Sequence, residues 1–267
     1  MADRTLINVR DLEAIQAVRP FLVAHRGGVV SPDSPENSLR AIELAAGQGY
    51  AMVELDVLEA ADGEPVLMHG SLRVNCGVDA DVHDLTSAEL TALRYRGSDQ
   101  CVLTLAAAIE ACGRLRLGVM LDKLRRGWRS DEPMSARCLA RVGALLKEAG
   151  LAWATVAIVD NRLFRKHLSD VSLFPVAAED AQKAMAGGAV SLAGGFWFGG
   201  PAELPDEAVP RLQERGAFVV VSINDHHYPP HAHHELARRD IERLGAAAVD
   251  GIQIDSVYRD YFRETQR

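Results

Sequence analysis

No apolar run in this 267-residue chain approaches the roughly 18 residues that a membrane-spanning helix needs. Met1 to Pro20 has no apolar h-region of a signal peptide and carries charges at Asp3, Arg4, Arg10, Asp11 and Glu13. The four cysteines (Cys76, Cys101, Cys112, Cys138) form no C-x-x-C pair. Together these absences lead us to expect free thiols in a reducing cytoplasm. There is no excess of basic residues: 29 Lys and Arg stand against 37 Asp and Glu, a net charge of −8, which argues against a nucleic-acid partner. Low-complexity tracts and obvious repeats are lacking too.

What is present is ordinary globular composition, 48% hydrophobic and 25% charged, in a chain long enough for one large domain. Apolar positions 6, 9, 12, 15 and 18 predict a short helix over Leu6–Val18 that closes one end. Eight apolar strand candidates then follow: Phe21–Ala24, Ala51–Val57, Leu115–Leu121, Ala154–Val159, Val171–Val176, Ala189–Phe198, Ala217–Ile223 and Val249–Ile254. Helical stretches alternate with them: Leu39–Gln48, Ser87–Leu93, Thr104–Ala111, Ser135–Ala149, Asn161–Leu168, Ala178–Ala186, Glu207–Arg215 and Glu235–Leu244. Strands apolar on both faces imply a covered parallel sheet. Eight such units imply an α/β fold, the (β/α)8 TIM barrel, as a single domain over residues 1–267. Turn chemistry at Ala61-Asp62-Gly63 and a short return strand, Glu64–Met68, predict a hairpin. It opens a small hairpin and helical insertion after the second strand, residues 57–112, above the barrel mouth.

The chemistry concentrates between Phe21 and His69. In MVELDV, Glu54 and Asp56 are two residues apart, so they share a strand face. Two like charges on a buried face repel and desolvate unless a cation sits between them. A hard divalent cation, Mg²⁺ or Ca²⁺, suits such oxygen ligands. His25 ends the first strand beside Arg26-Gly27-Gly28. Read alone it is a hydrogen-bonded core histidine; in that setting Arg26 suits bidentate phosphate contact and the glycines allow close backbone approach. His69 ends the hairpin and completes a possible acid–base pair.

HRG, then PENS (Pro35 to Ser38), then E-x-D, then DG and a second histidine resemble the glycerophosphodiester phosphodiesterase family. VHDLTSAEL and VLTLAAAIEAC are similar to that family's helices, and VVVSIN and VDGIQID to its closing strands. The resemblance covers Phe21 to Ser256. It implies a TIM barrel and metal-dependent hydrolysis of a glycerophosphodiester to glycerol phosphate and an alcohol, within lipid and glycerol metabolism. It further implies His25 and His69 as catalytic residues and Glu54, Asp56 and a third carboxylate as ligands of one cation. Arg26, Lys123, Glu36, Asn37 and Asn224 are then candidates for substrate binding. Trp197, at a strand end between the glycines of GGFWFGG, is either a core residue or a further substrate-binding residue that lines a cleft.

The chain departs from the family at several positions. The family pattern places a glutamate two before a lysine; here Leu121 holds that position and Asp122 adjoins Lys123. We take Asp122 as the third ligand, although regular alternation would send it and Lys123 to opposite faces unless the strand bends. Gly70 stands where the family usually has an aspartate, and Val221-Ser222 where it has tryptophan and threonine. The loop from Asp225 to Leu236, with five histidines, is expected to be a solvated loop, with a substrate-facing cap or a second metal site as alternatives. Other readings stay open: a lysophospholipid or sugar phosphodiester, with hydrolysis or transfer, a phosphodiester-binding protein without turnover, or an aldolase- or isomerase-type barrel using Lys123.

Overall fold

The computed structural model describes residues 5–264. The ends of the expected domain, residues 1–4 with Asp3 and Arg4 and residues 265–267, lie outside the described residues. In chain order the strands are β1 Phe21–Ala24, β2 Met52–Glu59, β3 Pro65–Leu67, β4 Leu103–Thr104 and β5 Gly118–Arg126. They continue as β6 Thr155–Ala157, β7 Phe174–Pro175, β8 Gly195–Gly199, β9 Phe218–Ile223 and β10 Gly251–Ile254.

All strands except β3 and β4 pair in parallel: β1 with β2, β2 with β5, β5 with β6, and β7 through β10 in sequence, with β10 returning to β1. Val156 bridges Leu173 between β6 and β7, so the ring closes. This is the eight-stranded parallel TIM barrel. Inside it lie Phe21, Val23, Met52, Met120, Val156, Phe196, Phe218 and Val220. The alternate residues of the same strands (Leu22, Val53, Leu55, Val119, Val219) pack outward against helix residues such as Ile42, Ile109 and Cys112. That two-sided burial is why the strands are apolar at nearly every position.

Val9 and Ile15 join the inner cluster. Val9 N–H bonds to the carbonyl of Trp153, just before β6, so this segment covers the N-terminal end of the barrel. The helix there is Leu12–Gln16, shorter than expected, because Asp11 caps it by accepting from the Glu13 and Ala14 N–H groups. Ile15 is fully buried; covering such a side chain contributes about 1.5–3 kcal/mol.

β3 pairs antiparallel with β2 and β4 with β3, forming the hairpin excursion after the second barrel strand. Leu58, Val66, Met68, Leu72, Val82, Leu90 and Tyr95 give this excursion a small core of its own. The expected strand limits differ most at three places. The helix Leu105–Leu115 runs to where the third barrel strand was expected, ends on left-handed Arg116, and the strand starts at Gly118. A side chain at position 118 would strike Met52, so glycine begins it. β7 shrinks to two residues around Pro175, which has no N–H to give. β8 begins at Gly195 rather than Ala189.

Candidate active site

β1 delivers His25–Gly27 as one tight turn in which Arg26 has φ +53°. A Cβ at Gly27 would lie 2.6 Å from Asn37 Cα, and one at Gly28 2.1 Å from the Ala41 carbonyl oxygen, so the HRGG and PENS segments interlock only with glycine there. The turn points the Arg26 N–H at Glu54 Oε2, 2.7 Å away. On β2, Glu54 and Asp56 point inward and are 1% and 2% exposed. Asn37 clasps Asp56 twice: Nδ2 donates to Oδ2 at 2.9 Å, and Oδ1 accepts the Asp56 N–H at 3.2 Å.

Asp122 is the register partner of Asp56 across β2 and β5. Carboxylate oxygens of Glu54, Asp56 and Asp122 lie within 4.8 Å of one another. Burial first, then the charges of Asp56 and Asp122, push the Glu54 carboxyl well above its usual range. Burial also raises Asp56, with Asp122 adding to it against the opposing pull of His69. Glu54 Oε1 is buried and has no hydrogen-bond partner. An orphaned oxygen in an all-carboxylate group fits a hard divalent cation of the Mg²⁺ or Ca²⁺ kind.

The opposite-face problem at Asp122 and Lys123 is resolved by a bulge. Val57 pairs Lys123, but Leu58 pairs Arg125, so the register shifts by one. Lys123 and Leu124 have φ +66° and +46°. Lys123 Nζ therefore reaches Asp122 Oδ2 at 2.7 Å and Asp56 Oδ1 at 3.8 Å. Burial lowers the basicity of Lys123, but Asp122 and Asp56 outweigh it and keep the ammonium charged.

Each histidine is backed by a carboxylate. His25 Nδ1 lies 2.7 Å from Asp255 Oδ1, and its Nε2 lies 3.9 Å from Glu54 Oε2. His69 Nδ1 lies 2.9 Å from Glu36 Oε2, while Arg26 donates to Glu36 Oε1 at 2.5 Å. Burial raises both acids, but the bond from His25 holds Asp255 below the usual carboxylate range, and those from His69 and Arg26 do the same for Glu36.

His25, His69, Glu54, Asp56, Asp122, Arg26, Lys123, Glu36 and Asn37 are thus gathered at the C-terminal ends of the strands. Asn224 is buried at the end of β9, one residue past the Ile223–Ile254 pair, and its Nδ2 donates to Gln253, which in turn contacts Met120, the register partner of Glu54. Trp197 is the exception. Strand alternation turns Phe196 inward and Trp197 outward, where it is 6% exposed in the helical shell and lines a cavity with Val176, Met185 and Glu203. It is not brought to the carboxylates.

Asp255 was missed as a partner for His25. Its signal was the polar alternation of Gln253 and Asp255 in an otherwise apolar strand, the same signal that marks Glu54 and Asp56. The histidine-rich segment is more ordered than a solvated loop: Asp225–His227 is a 3-10 turn, and a helix starts at His233. His226 lies 6.4 Å from His25, ring to ring. The metal-spaced group found among the described residues is Glu54, Asp56 and Asp122, with no histidine of this segment.

Several known proteins are similar. Glycerophosphodiester phosphodiesterase 1 of Mus musculus is 38% identical over 122 residues, 41% of this chain and 36% of that protein. Its Homo sapiens counterpart is 35% identical over 127 residues, 43% of this chain and 38% of that protein. The matched stretch spans little more than a third of these relatives. Among solved structures, a glycerophosphoryl diester phosphodiesterase from Parabacteroides distasonis superposes with a TM-score of 0.69 at 20% identity, covering 97% of this chain and 94% of that one. A phosphodiesterase from Oleispira antarctica, in complex with the product sn-glycerol-3-phosphate, gives 0.67 at 20% identity, covering 93% and 97%. These likenesses carry the barrel fold. Residues 25–258 match the glycerophosphoryl diester phosphodiesterase family, a span that starts at the histidine ending β1 and passes the aspartate that backs it. The chain belongs to that family.

Proposed function

We propose that this chain hydrolyses a glycerophosphodiester to glycerol phosphate and an alcohol, as a single barrel domain whose 57–112 segment carries one catalytic histidine. The observation that carries the reading is the convergence of Glu54, Asp56 and Asp122 with two carboxylate-backed histidines at one barrel mouth.

Glu54, Asp56 and Asp122 would hold one Mg²⁺ or Ca²⁺. Such an ion, when bound, supplies Lewis-acid polarisation of a phosphoryl oxygen. Arg26 and Lys123 bind and neutralise the remaining phosphoryl oxygens as charge builds. Glu36 fixes the Arg26 guanidinium and the His69 ring; Asn37 fixes Asp56. An imidazole that donates Nδ1–H to a carboxylate presents Nε2 as the proton acceptor. One of His25 and His69 takes the proton from the nucleophile, a water or the neighbouring glycerol hydroxyl. The other gives a proton to the leaving alkoxide. Attack by the substrate's own hydroxyl would pass through a cyclic phosphate, which product analysis detects.

Four free cysteines, two of them buried, support a reducing cytoplasm as the compartment. Among the described residues no helix is long and apolar enough to cross a membrane. The deciding experiment is phosphate-ester product analysis on a panel of glycerophosphodiesters, lysophospholipids and sugar phosphodiesters, with and without EDTA. Release of glycerol phosphate that EDTA abolishes is expected. No product from any diester in the presence of Mg²⁺ or Ca²⁺ would overturn the reading.

A further inference from the structure

His69 stands on the hairpin segment, whereas Asp122 and Lys123 stand on β5, and something has to keep these halves in register. Beyond β5 the chain continues through Gly127 to Trp128, and the Trp128 ring meets the His69 imidazole edge-on, 5.1 Å between centroids at 68°. Trp128 is fixed from the excursion side. Asp81 Oδ1 accepts the Trp128 N–H at 2.6 Å, and Oδ2 accepts the Arg129 N–H at 2.8 Å. Asp81 also caps the 3-10 turn Val82–Asp84. Gly127 has φ +65°, and a Cβ there would lie 2.8 Å from Asp81 Oδ1, so the carboxylate seats on a glycine turn with no room for a side chain. Trp128 packs against the small apolar cluster of the excursion, and the Arg125 guanidinium lies over its ring, 5.0 Å away.

We propose that Asp81 and Trp128 are positioning residues for His69. They form a clasp that ties the end of β5 to the hairpin segment and holds the imidazole where Nδ1 meets Glu36. Glu36 alone fixes one atom of the ring; a planar wall against it removes the remaining swing about that hydrogen bond. The inference rests on the proposed acid–base role of His69. Because proton transfer needs near-contact geometry, freeing the ring costs turnover and not metal or substrate affinity.

The test compares Trp128→Ala, Trp128→Phe and Asp81→Asn with the parent, all loaded with Mg²⁺. Trp128→Ala is expected to lower kcat roughly 10–100-fold, with KM and the Mg²⁺ titration unchanged. Trp128→Phe, which keeps a ring against His69, should recover most of the loss. NMR of the His69 ring nitrogens gives a readout that needs no turnover: Trp128→Ala and Asp81→Asn should weaken the Nδ1 signature of the Glu36 bond, and Trp128→Phe should keep it. An unchanged His69 signature in Trp128→Ala overturns the clasp even if no diester is ever turned over. So does a raised KM at parental kcat, which would make Trp128 a substrate-binding wall, or a weakened Mg²⁺ titration, which would make it a support for β5. If Asp81→Asn does not fold, the Trp128 pair decides. A parental His69 signal with no diester turnover in the parent itself would count against the proposed function and leave the NMR comparison to judge the clasp.

Discussion

Asp255 Oδ1 lies 2.7 Å from His25 Nδ1, although the two residues sit at opposite ends of the sequence. β1 and β10 are neighbours in the ring, paired from Phe21–Gly251 to Ala24–Ile254, so closing the barrel is what forms the dyad. The other carboxylate oxygen of Asp255 accepts the Asp225 N–H, which fixes the carboxylate before any substrate arrives.

Asp255→Asn is therefore expected to lower kcat on the order of 10²-fold or more, as for other carboxylate-oriented histidines. The sign of its stability effect follows from its depressed acidity. A carboxylate held below its ordinary value of 3.8 contributes stability above that pH and loses it as pH falls through the lower folded value. The difference in urea stability between parent and variant should be full at pH 7 and shrink below about pH 4. A gap that widens in acid would contradict the dyad.

His25→Ala and His69→Ala should each lower kcat by roughly 10²–10⁴-fold with metal content unchanged. A leaving alcohol of low pKa should partly rescue whichever variant lacks the acid, which assigns the two roles. Full activity in either variant removes that histidine from the mechanism.

The carboxylate group predicts an unusual pH response in EDTA. Glu54 is pushed above its ordinary 4.5, so between that value and the raised one the folded protein holds a proton that the unfolded chain has released. Stability from this source falls as pH rises above about 4.5 toward the folded value, opposite in sign to the contribution of Asp255. Glu54→Gln cannot ionise, so its Tm should decline less than the parent's between pH 5 and 8 without metal. Mg²⁺ or Ca²⁺ should raise the parent's Tm more at the upper end of that range, since binding competes with protons. Parallel Tm curves for parent and variant in EDTA would defeat this account.

The barrel strands were legible because strands buried on both faces leave an unbroken apolar record, and Glu54 and Asp56 stood out against it. The limits of β5 were not. Its outer half reads DKLRR, which looks like a solvated loop, yet Arg125 and Arg126 pair with Leu58 and Glu59 of β2. Trp197 was ambiguous for a different reason: flanking glycines fit a cleft as well as a core position, and only the one-residue phase of β8 decides which way its ring points. His25–Asp255 and Trp128–His69 are long-range meetings that only ring closure and the hairpin excursion create; no local spacing records them.

The bulge at Lys123 gives the sharpest test of the site. A regular strand cannot aim Asp122 and Lys123 together, but positive φ at Lys123 and Leu124 turns the lysine back over the carboxylates. Two separable defects follow. Asp122→Asn should weaken Mg²⁺ or Ca²⁺ affinity, with activity returning at high metal, because Glu54 and Asp56 remain. Lys123→Met should lose turnover at parental metal affinity, because Nζ is the cation proposed to bind phosphate and is no ligand of the ion. Moreover, Lys123→Met removes the cation that keeps the cluster's charge in check, so the metal-free protein should be less stable at neutral pH than the parent and regain most of the difference when metal is added. Calorimetric metal titration of both variants, with kcat measured at saturating metal, separates these effects. An unshifted titration in Asp122→Asn would leave the ion with two protein carboxylates. Parental turnover in Lys123→Met would mean that the bulge serves only to bring Asp122 beside Asp56.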